Sequence, residues 1–224
     1  MRYIQKGQEP QSFADWKAQK NDNWKPTYED LRGQIKSDIH DSLLIEQGYT
    51  CCYCGMRIAK NISHIEHLQP QNEKTPELPK DNALAIDFAN LLVSCGFSEN
   101  SKMSDQNYKN VLHCLQHCGC KRGNESLSVT PLQTDCAEFF RYTGLGEMRP
   151  VADSDKKQAA LDTIQTLNLN HSNLMAAREE AIIGALQDLD KFSISEIEML
   201  IKYYEQPNQL AFSFAIAYIL KQYL

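Results

Sequence analysis

The cysteine pattern is the feature that most restricts what this 224-residue chain can fold into. All eight cysteines lie between residues 51 and 136, and two of them, Cys51 and Cys54 in YTCCYCG, have the spacing of a metal knuckle. In such a knuckle a tight turn aims two thiolates at one ion, and Gly55 relieves the backbone just past it. The first residues, MRYIQKGQEP, lack the apolar core of a secretory signal, so metal ligation is favoured over disulfides. One knuckle supplies half of a tetrahedral site. Cys95 and Cys118 are the expected second half, with Cys120 and Cys114 as competitors and Cys52 as a possible substitute for Cys51. No thioredoxin-like pattern surrounds the knuckle, which argues against a redox dithiol.

Composition places the chain among ordinary globular proteins, with 42% hydrophobic and 23% charged residues. The most apolar run, LAFSFAIAYIL from Leu210 to Leu220, is too short to span a bilayer. A soluble cytoplasmic protein with no membrane association is expected. The net charge of −6 speaks against simple nucleic-acid binding, because phosphate contacts need lysine and arginine. Its distribution softens the point. Residues 51–124 hold 8 basic and 7 acidic side chains, whereas residues 125–224 hold 8 and 14. A partner protein would then supply much of the positive surface.

Three segments follow from the patterning. Residues 1–50 read as an arm with Trp16 and Trp24 packed on the core, a short helix near Phe13–Lys20, and a helix from Thr27 to Gln47. Thr27 with Asp30 makes a short-armed capping box, Leu31, Ile35, Ile39, Leu43 and Leu44 recur at helical spacing, and Gly48 suits the C-terminal cap. His40 on this helix reads as structural or solvated. Residues 51–124 are the cysteine-framed core, with two short strands expected around Arg57–Ala59 and Ile62–His67, a proline-marked loop over 70–82, a further element from Asn90 to Cys95, an exposed insertion over 96–107 and a helix over 108–115. Residues 125–224 are a helical region, with helices over 159–167, 174–189, 194–204 and 210–224. The last is apolar on more than one face, which fits either burial or a partner interface.

Between the cysteine clusters stands Glu66-His67, in SHIEHLQP. Phosphodiester hydrolysis needs a base that works near neutral pH, a cation that stabilises charge on phosphate and leaving oxygen, and accurate placement. His67 suits the base, since an imidazole titrates near the working range. In an extended segment Glu66 points to the opposite face, and His64 shares that face with it.

The order Cys51-x-x-Cys54, Ile65-Glu66-His67-Leu68-x-Pro70, Asn90-Leu91-Leu92-x-x-Cys95 and Cys118-x-x-x-Arg122-Gly123-Asn124 resembles the HNH endonucleases. The resemblance implies an α+β, mostly helical chain, with a ββα-metal core and a four-cysteine zinc site flanked by an N-terminal helix and a C-terminal helical region. It implies that His67 is the general base, that Glu66 is a ligand of a catalytic Mg2+ or Mn2+, and that Asn90 orders the loop and orients the base. Structural Zn2+ would sit on Cys51, Cys54, Cys95 and Cys118. The position of the last catalytic-metal ligand in the family pattern is Gly119 here, which leaves His64 and Asn124, or His117 or His113, as candidates to replace it. Asp135-Cys136-x-x-Phe139-x-x-Tyr142, Gly146-x-Met148-x-Pro150 and Thr163-Ile164-x-x-Leu167-Asn168-Leu169-Asn170, with Leu174 and Arg178, are similar to the PtuB-like HNH subunits of Septu-type and retron-linked anti-phage systems. That likeness covers nearly the whole chain. It implies a PtuA-like SMC/ABC-type ATPase partner, in retron-linked forms a reverse transcriptase with its msDNA, and a substrate that is DNA or an RNA such as tRNA. The competing reading is a non-catalytic zinc-binding adaptor in which His67 and Glu66 are dispensable.

Overall fold

The computed structural model describes residues 1–70, 82–96, 116–152, 154–206 and 210–224. The expectations for the 70–82 loop past residue 70, for residues 97–115 and for Cys114 and His113 therefore lie outside the described residues. The chain is a helix-rich α+β structure with two small antiparallel sheets of two strands each.

The N-terminal arm carries α1 (Gln11–Ala18), held down by aromatic packing. Phe13 stacks on Trp16, Trp16 meets Trp24 edge-on, and Phe13 and Trp16 are buried. The next helix differs from expectation at its start. Thr27 and Asp30 do form a capping box, but it closes only a single 3-10 turn, Tyr28–Asp30, after which Leu31 is extended. The long helix α2 begins at Gly33 and runs to Glu46 (Gly33–Glu46). Its apolar residues Ile39, Leu43 and Leu44 face the core, and Gly48, at φ +61°, follows its C-terminus. His40 is buried and its Nε2 lies 2.9 Å from Ser63 Oγ.

The central sheet pairs β1 (Ser63–His67) with β2 (Leu91–Cys95), in a register that sets Ser63 opposite Cys95 and His67 opposite Leu91. The expected partner strand around Arg57–Ala59 is not one. Arg57 makes an isolated bridge to Thr50, and residues Lys60–Ile62 form a 3-10 turn that leads straight into β1. Every residue of β2 is buried. Its backbone is secured from the side by the buried Gln47, whose amide accepts from Val93 N at 2.7 Å and donates to Val93 O at 2.8 Å. Cys52 N also donates to Val93 O. A short helix α3 (Asn82–Ala85) precedes β2, and α4 (Cys118–Arg122) packs against it through Gly119 N, which donates to Ser94 Oγ at 3.2 Å.

The C-terminal half consists of the hairpin β3 (Phe140–Tyr142) and β4 (Met148–Pro150), then α5 (Ser154–Thr166), α6 (Ser172–Leu186), α7 (Ile194–Glu205) and α8 (Ser213–Leu220). Arg178 on α6 is buried and donates to the carbonyls of Gly146 and Leu169, which ties the hairpin to the helices. Most of α8 is buried within its own chain: Ala215, Ile216, Ala217, Ile219 and Leu220 are all covered. This helix also clamps the knuckle. Phe212 N donates to Gly55 O at 2.8 Å, and a Cβ on Gly55, whose φ is +75°, would meet the Phe214 ring at 2.2 Å. Only glycine fits there, both for the backbone angle and for the approach of the ring. One contiguous apolar core runs from Met1 to Leu220 through all three segments.

Candidate metal and hydrolytic site

The knuckle turn at Cys51–Cys54 is closed by Gly55 N donating to Cys51 O and by Cys51 N donating to Met56 O. It places the Cys51 and Cys54 sulfurs on one side. Cys95 arrives at the end of β2, and Cys118 opens α4, where Cys118 N donates to Leu167 O at 2.8 Å. All four sulfurs are buried and lie within 4.8 Å of one another. Cys54 Sγ and Cys95 Sγ are 3.9 Å apart, close to the roughly 3.8 Å separation that a tetrahedral ion with zinc–sulfur bonds near 2.3 Å requires. Cys95 N points at Cys51 Sγ (3.4 Å) and Met56 N at Cys54 Sγ (3.5 Å), the amide donors that usually steady a metal-bound thiolate.

The protonation pattern fits the same use. Burial pushes the Cys51 thiol up, but hydrogen bonds from Cys118, Cys52, Cys54 and Cys95 outweigh it and hold Cys51 well below the ordinary thiol range. Burial, with the neighbouring sulfurs Cys51 and Cys54, drives Cys118 well above that range. One thiolate forms readily, and further charge in the same small volume requires a compensating cation. Cys52, Cys120 and Cys136 are outside this set of four. His117, a candidate for the other metal, is instead buried beside the sulfurs, with Nδ1 3.1 Å from Cys118 Sγ and 3.8 Å from Cys95 Sγ.

The second cluster is built on β1. Alternation sends His64 and Glu66 to one face and His67 to the other. On the first face His64 Nε2 lies 3.1 Å from Glu66 Oε2. Both atoms border Gly119, where a Cβ would come within 2.3 Å of Glu66 Oε2 and 2.9 Å of His64 Nε2. The other carboxylate oxygen, Oε1, accepts from Tyr53 OH at 3.0 Å and from Arg122 Nη1 at 2.7 Å. Burial alone would raise Glu66; His64, Arg122 and Tyr53 overcome that and hold the carboxyl below its usual range, so it is an anion at neutral pH. Desolvation opposes the charge of Arg122, yet Tyr53 and Glu66 raise its pKa.

On the opposite face, His67 packs its ring edge-on against Tyr28 at 4.4 Å and 80°. Its Nε2 lies 3.0 Å from Ala85 O; a carbonyl can only accept, so Nε2 carries a proton there. Asn90 is buried and ties the same loop together. Its Oδ1 accepts from Gln69 N (2.7 Å), and its Nδ2 donates to Gln69 O and to Leu84 O, both at 3.1 Å. Gln69, two residues after the histidine strand, and Leu84, the residue before Ala85, are thereby fixed to one side chain. Asn124 is exposed beyond the end of α4, whereas His64 touches Glu66. Glu66 and His67, adjacent in sequence, therefore present their side chains to different faces, and Glu66 and His64 share one.

Two residues of this cluster had no role assigned from sequence: Tyr53, inside the knuckle, and Arg122. Arg122 was visible in the Cys118-x-x-x-Arg122 spacing, and an arginine one helical turn after a buried cysteine is a signal that it, too, points inward.

No family model matches the chain. Against proteins of known description it is similar to one from Escherichia coli that carries the name "Retron Ec83 putative HNH endonuclease". The two are 24% identical over 204 aligned residues, which cover 81% of this chain and 79% of that protein. The likeness extends well beyond the cysteine core and supports a nuclease function in general.

Proposed function

We propose that this chain is a metal-dependent endonuclease of the HNH type, built on a ββα-metal core that a four-cysteine zinc site stabilises, and that it hydrolyses phosphodiester bonds of DNA or of an RNA such as tRNA. The observation that carries the reading is the arrangement around β1. A buried carboxylate and an imidazole lie side by side over Gly119, and a histidine on the same strand is held through Nε2 by a loop that Asn90 secures. The named E. coli relative supports the same class.

The donor set fits a divalent cation. Glu66 Oε2 and His64 Nε2, 3.1 Å apart, have the separation of two neighbouring ligands on one ion, and the missing side chain at Gly119 leaves the space beside them. Glu66 Oε2 and His64 Nε2 would hold Mg2+ or Mn2+, and Cys51, Cys54, Cys95 and Cys118 would hold Zn2+. When bound, the hard cation neutralises charge on the phosphate and on the departing oxygen. The chain's own residues supply the rest. Ala85 O holds His67 by its Nε2 proton, and His67 would take the proton from the attacking water. Asn90 keeps the Gln69 and Leu84 backbone, and with it Ala85, at the distance this requires. Tyr53 and Arg122 hold Glu66 Oε1 and so turn Oε2 toward His64.

In its cellular role the chain would be the effector of a Septu-type or retron-linked anti-phage complex, as a PtuB-like subunit beside a PtuA-like SMC/ABC-type ATPase, with a retron reverse transcriptase and its msDNA as sensor in the linked form. The acidic helical region over 125–224 would dock on the partner. The test is a paired measurement of zinc content and cleavage. Wild type with its ATPase partner is expected to carry one zinc per chain and to cut plasmid DNA or total tRNA with Mg2+ or Mn2+, and His67→Ala is expected to keep the zinc and lose at least 100-fold in rate, the lower range for a general base. A His67→Ala protein that cuts like wild type overturns the nuclease assignment and leaves a zinc-bound adaptor.

A further inference from the structure

Arg122 is a buried, densely hydrogen-bonded side chain, and three of the five hydrogen bonds it donates among the described residues go to the Glu66–Leu68 stretch. It is 2% exposed. Nη1 donates to Tyr53 OH (2.9 Å), Glu66 Oε1 (2.7 Å) and His67 O (3.0 Å), Nη2 donates to Leu68 O, and Nε donates to Glu125 O (2.7 Å). The fork thus grips one side chain and two consecutive carbonyls of the Glu66–Leu68 segment. Tyr53 OH donates to the same Glu66 Oε1 at 3.0 Å.

The origin of these two anchors matters. Tyr53 lies between Cys51 and Cys54, and Arg122 lies one helical turn after Cys118 on α4. Each arm of the four-sulfur cluster therefore extends one polar side chain to the same carboxylate. A cation at the sulfurs fixes the knuckle relative to α4 and so fixes Tyr53 relative to Arg122. Without it, the arms keep the Arg122–Tyr53 hydrogen bond and their shared acceptor Glu66, but the sulfurs between them are neutral or singly charged thiols that no ion draws together.

We infer that Arg122 is a positioning residue through which the four-cysteine cluster holds the Glu66–His67–Leu68 backbone in hydrolytic register, so that occupancy of the cysteine site sets the competence of the second site. This rests on the nuclease reading for its kinetic consequence but not for its structural one. A lysine at position 122 keeps the positive charge beside Glu66 yet cannot donate in a planar fork to a carboxylate and two carbonyls together.

The experiment compares wild type, Arg122→Lys and His67→Ala, each with full zinc content checked, by steady-state cleavage and by amide hydrogen exchange of the peptide spanning residues 66–69. Arg122→Lys is expected to retain zinc and a cooperative thermal transition, to keep KM, and to lose about 100-fold in kcat, the size of effect that a displacement near 1 Å produces. Exchange of the 66–69 peptide should rise in Arg122→Lys at full zinc occupancy, and rise similarly in wild type when a chelator strips the zinc at a temperature below the melting transition of the zinc-free protein, where peptides of α6 and α7 stay protected. Wild-type kcat together with unchanged exchange in Arg122→Lys overturns the inference, as does zinc removal that leaves 66–69 protected. Absence of His67-dependent cleavage in every protein counts against the nuclease reading alone, because exchange still reports the coupling.

Discussion

The four-sulfur cluster and the His64–Glu66–Arg122 cluster are joined through consecutive residues, Cys118 and Gly119, yet they solve opposite problems. The first gathers four soft donors, with Cys51 held low and Cys118 driven high in pKa, so all four can be thiolates together only with a cation between them. The second is already neutralised from within, because Arg122 and Glu66 compensate each other at 2.7 Å in a buried setting. Removing the ion from the first removes the cause of its shape. The second keeps its shape without an ion of its own and, among the described residues, offers a cation the one oxygen and one nitrogen that face Gly119. Stability should therefore depend on the first cluster, and chemistry on the second.

The largest expected effect breaks the first cluster. Cys118→Ser, or a strong chelator on the wild type, should lower the melting temperature by more than 15 °C and yield less than one zinc per chain, since structural zinc sites contribute on the order of 10 kcal/mol to folding. A protein that melts unchanged without zinc would show that the apolar core alone sustains the fold. Intermediate in size is a change aimed at the second cluster. Gly119→Ala inserts a Cβ within 2.3 Å of Glu66 Oε2 and should displace the carboxylate from His64. Overpacking of this kind costs about 1–3 kcal/mol, so the variant should fold with full zinc while cleavage falls by about 10-fold or more. Zinc analysis beside a cleavage assay separates the two clusters directly.

The smallest effect concerns His40, which supports β1 from the face opposite Glu66 through Ser63. Burial, reinforced by the charge of Lys60, lowers its pKa from 6.5 to about 4. The unfolded chain thus binds a proton between pH 6.5 and 4 that the folded chain refuses. His40 is uncharged and stability is fully present above pH 6.5, and stability falls as the pH drops toward 4. His40→Gln should flatten that part of the stability–pH profile, measured by urea melts at several pH values. Glu66 works in the same direction at lower pH, its stabilising charge being lost on acidification below the ordinary carboxyl value of 4.5.

Much of the local structure was legible. The knuckle spacing, the alternation of SHIEH and the helical faces of α5–α7 follow from periodicities of the chain itself, and among the described residues the knuckle pair and its expected partners Cys95 and Cys118 are the four sulfurs that converge. Two local readings failed, each for its own reason. Thr27 and Asp30 form their capping box, but a box fixes only the first turn, and the extended Leu31 at its end starts the helix afresh at Gly33. Arg57–Ala59 has the residue types of a strand, but β1 has its register with Leu91–Cys95, where five buried residues offer more apolar contact than a local hairpin could.

The sequence by itself determined which residues could serve: soft sulfur at four positions, an acid and two imidazoles on one short strand, and the opposite facing of Glu66 and His67, because a strand's period is two. Only the tertiary structure decided how they are used. Glu66 has its counter-charge on Arg122, 56 residues away, and its second anchor on Tyr53 inside the knuckle. His67 is held through Nε2 by the carbonyl of Ala85, which Asn90 helps to place. Such partners come together by burial of a shared core, and no periodicity of the chain encodes a pairing between residues that far apart.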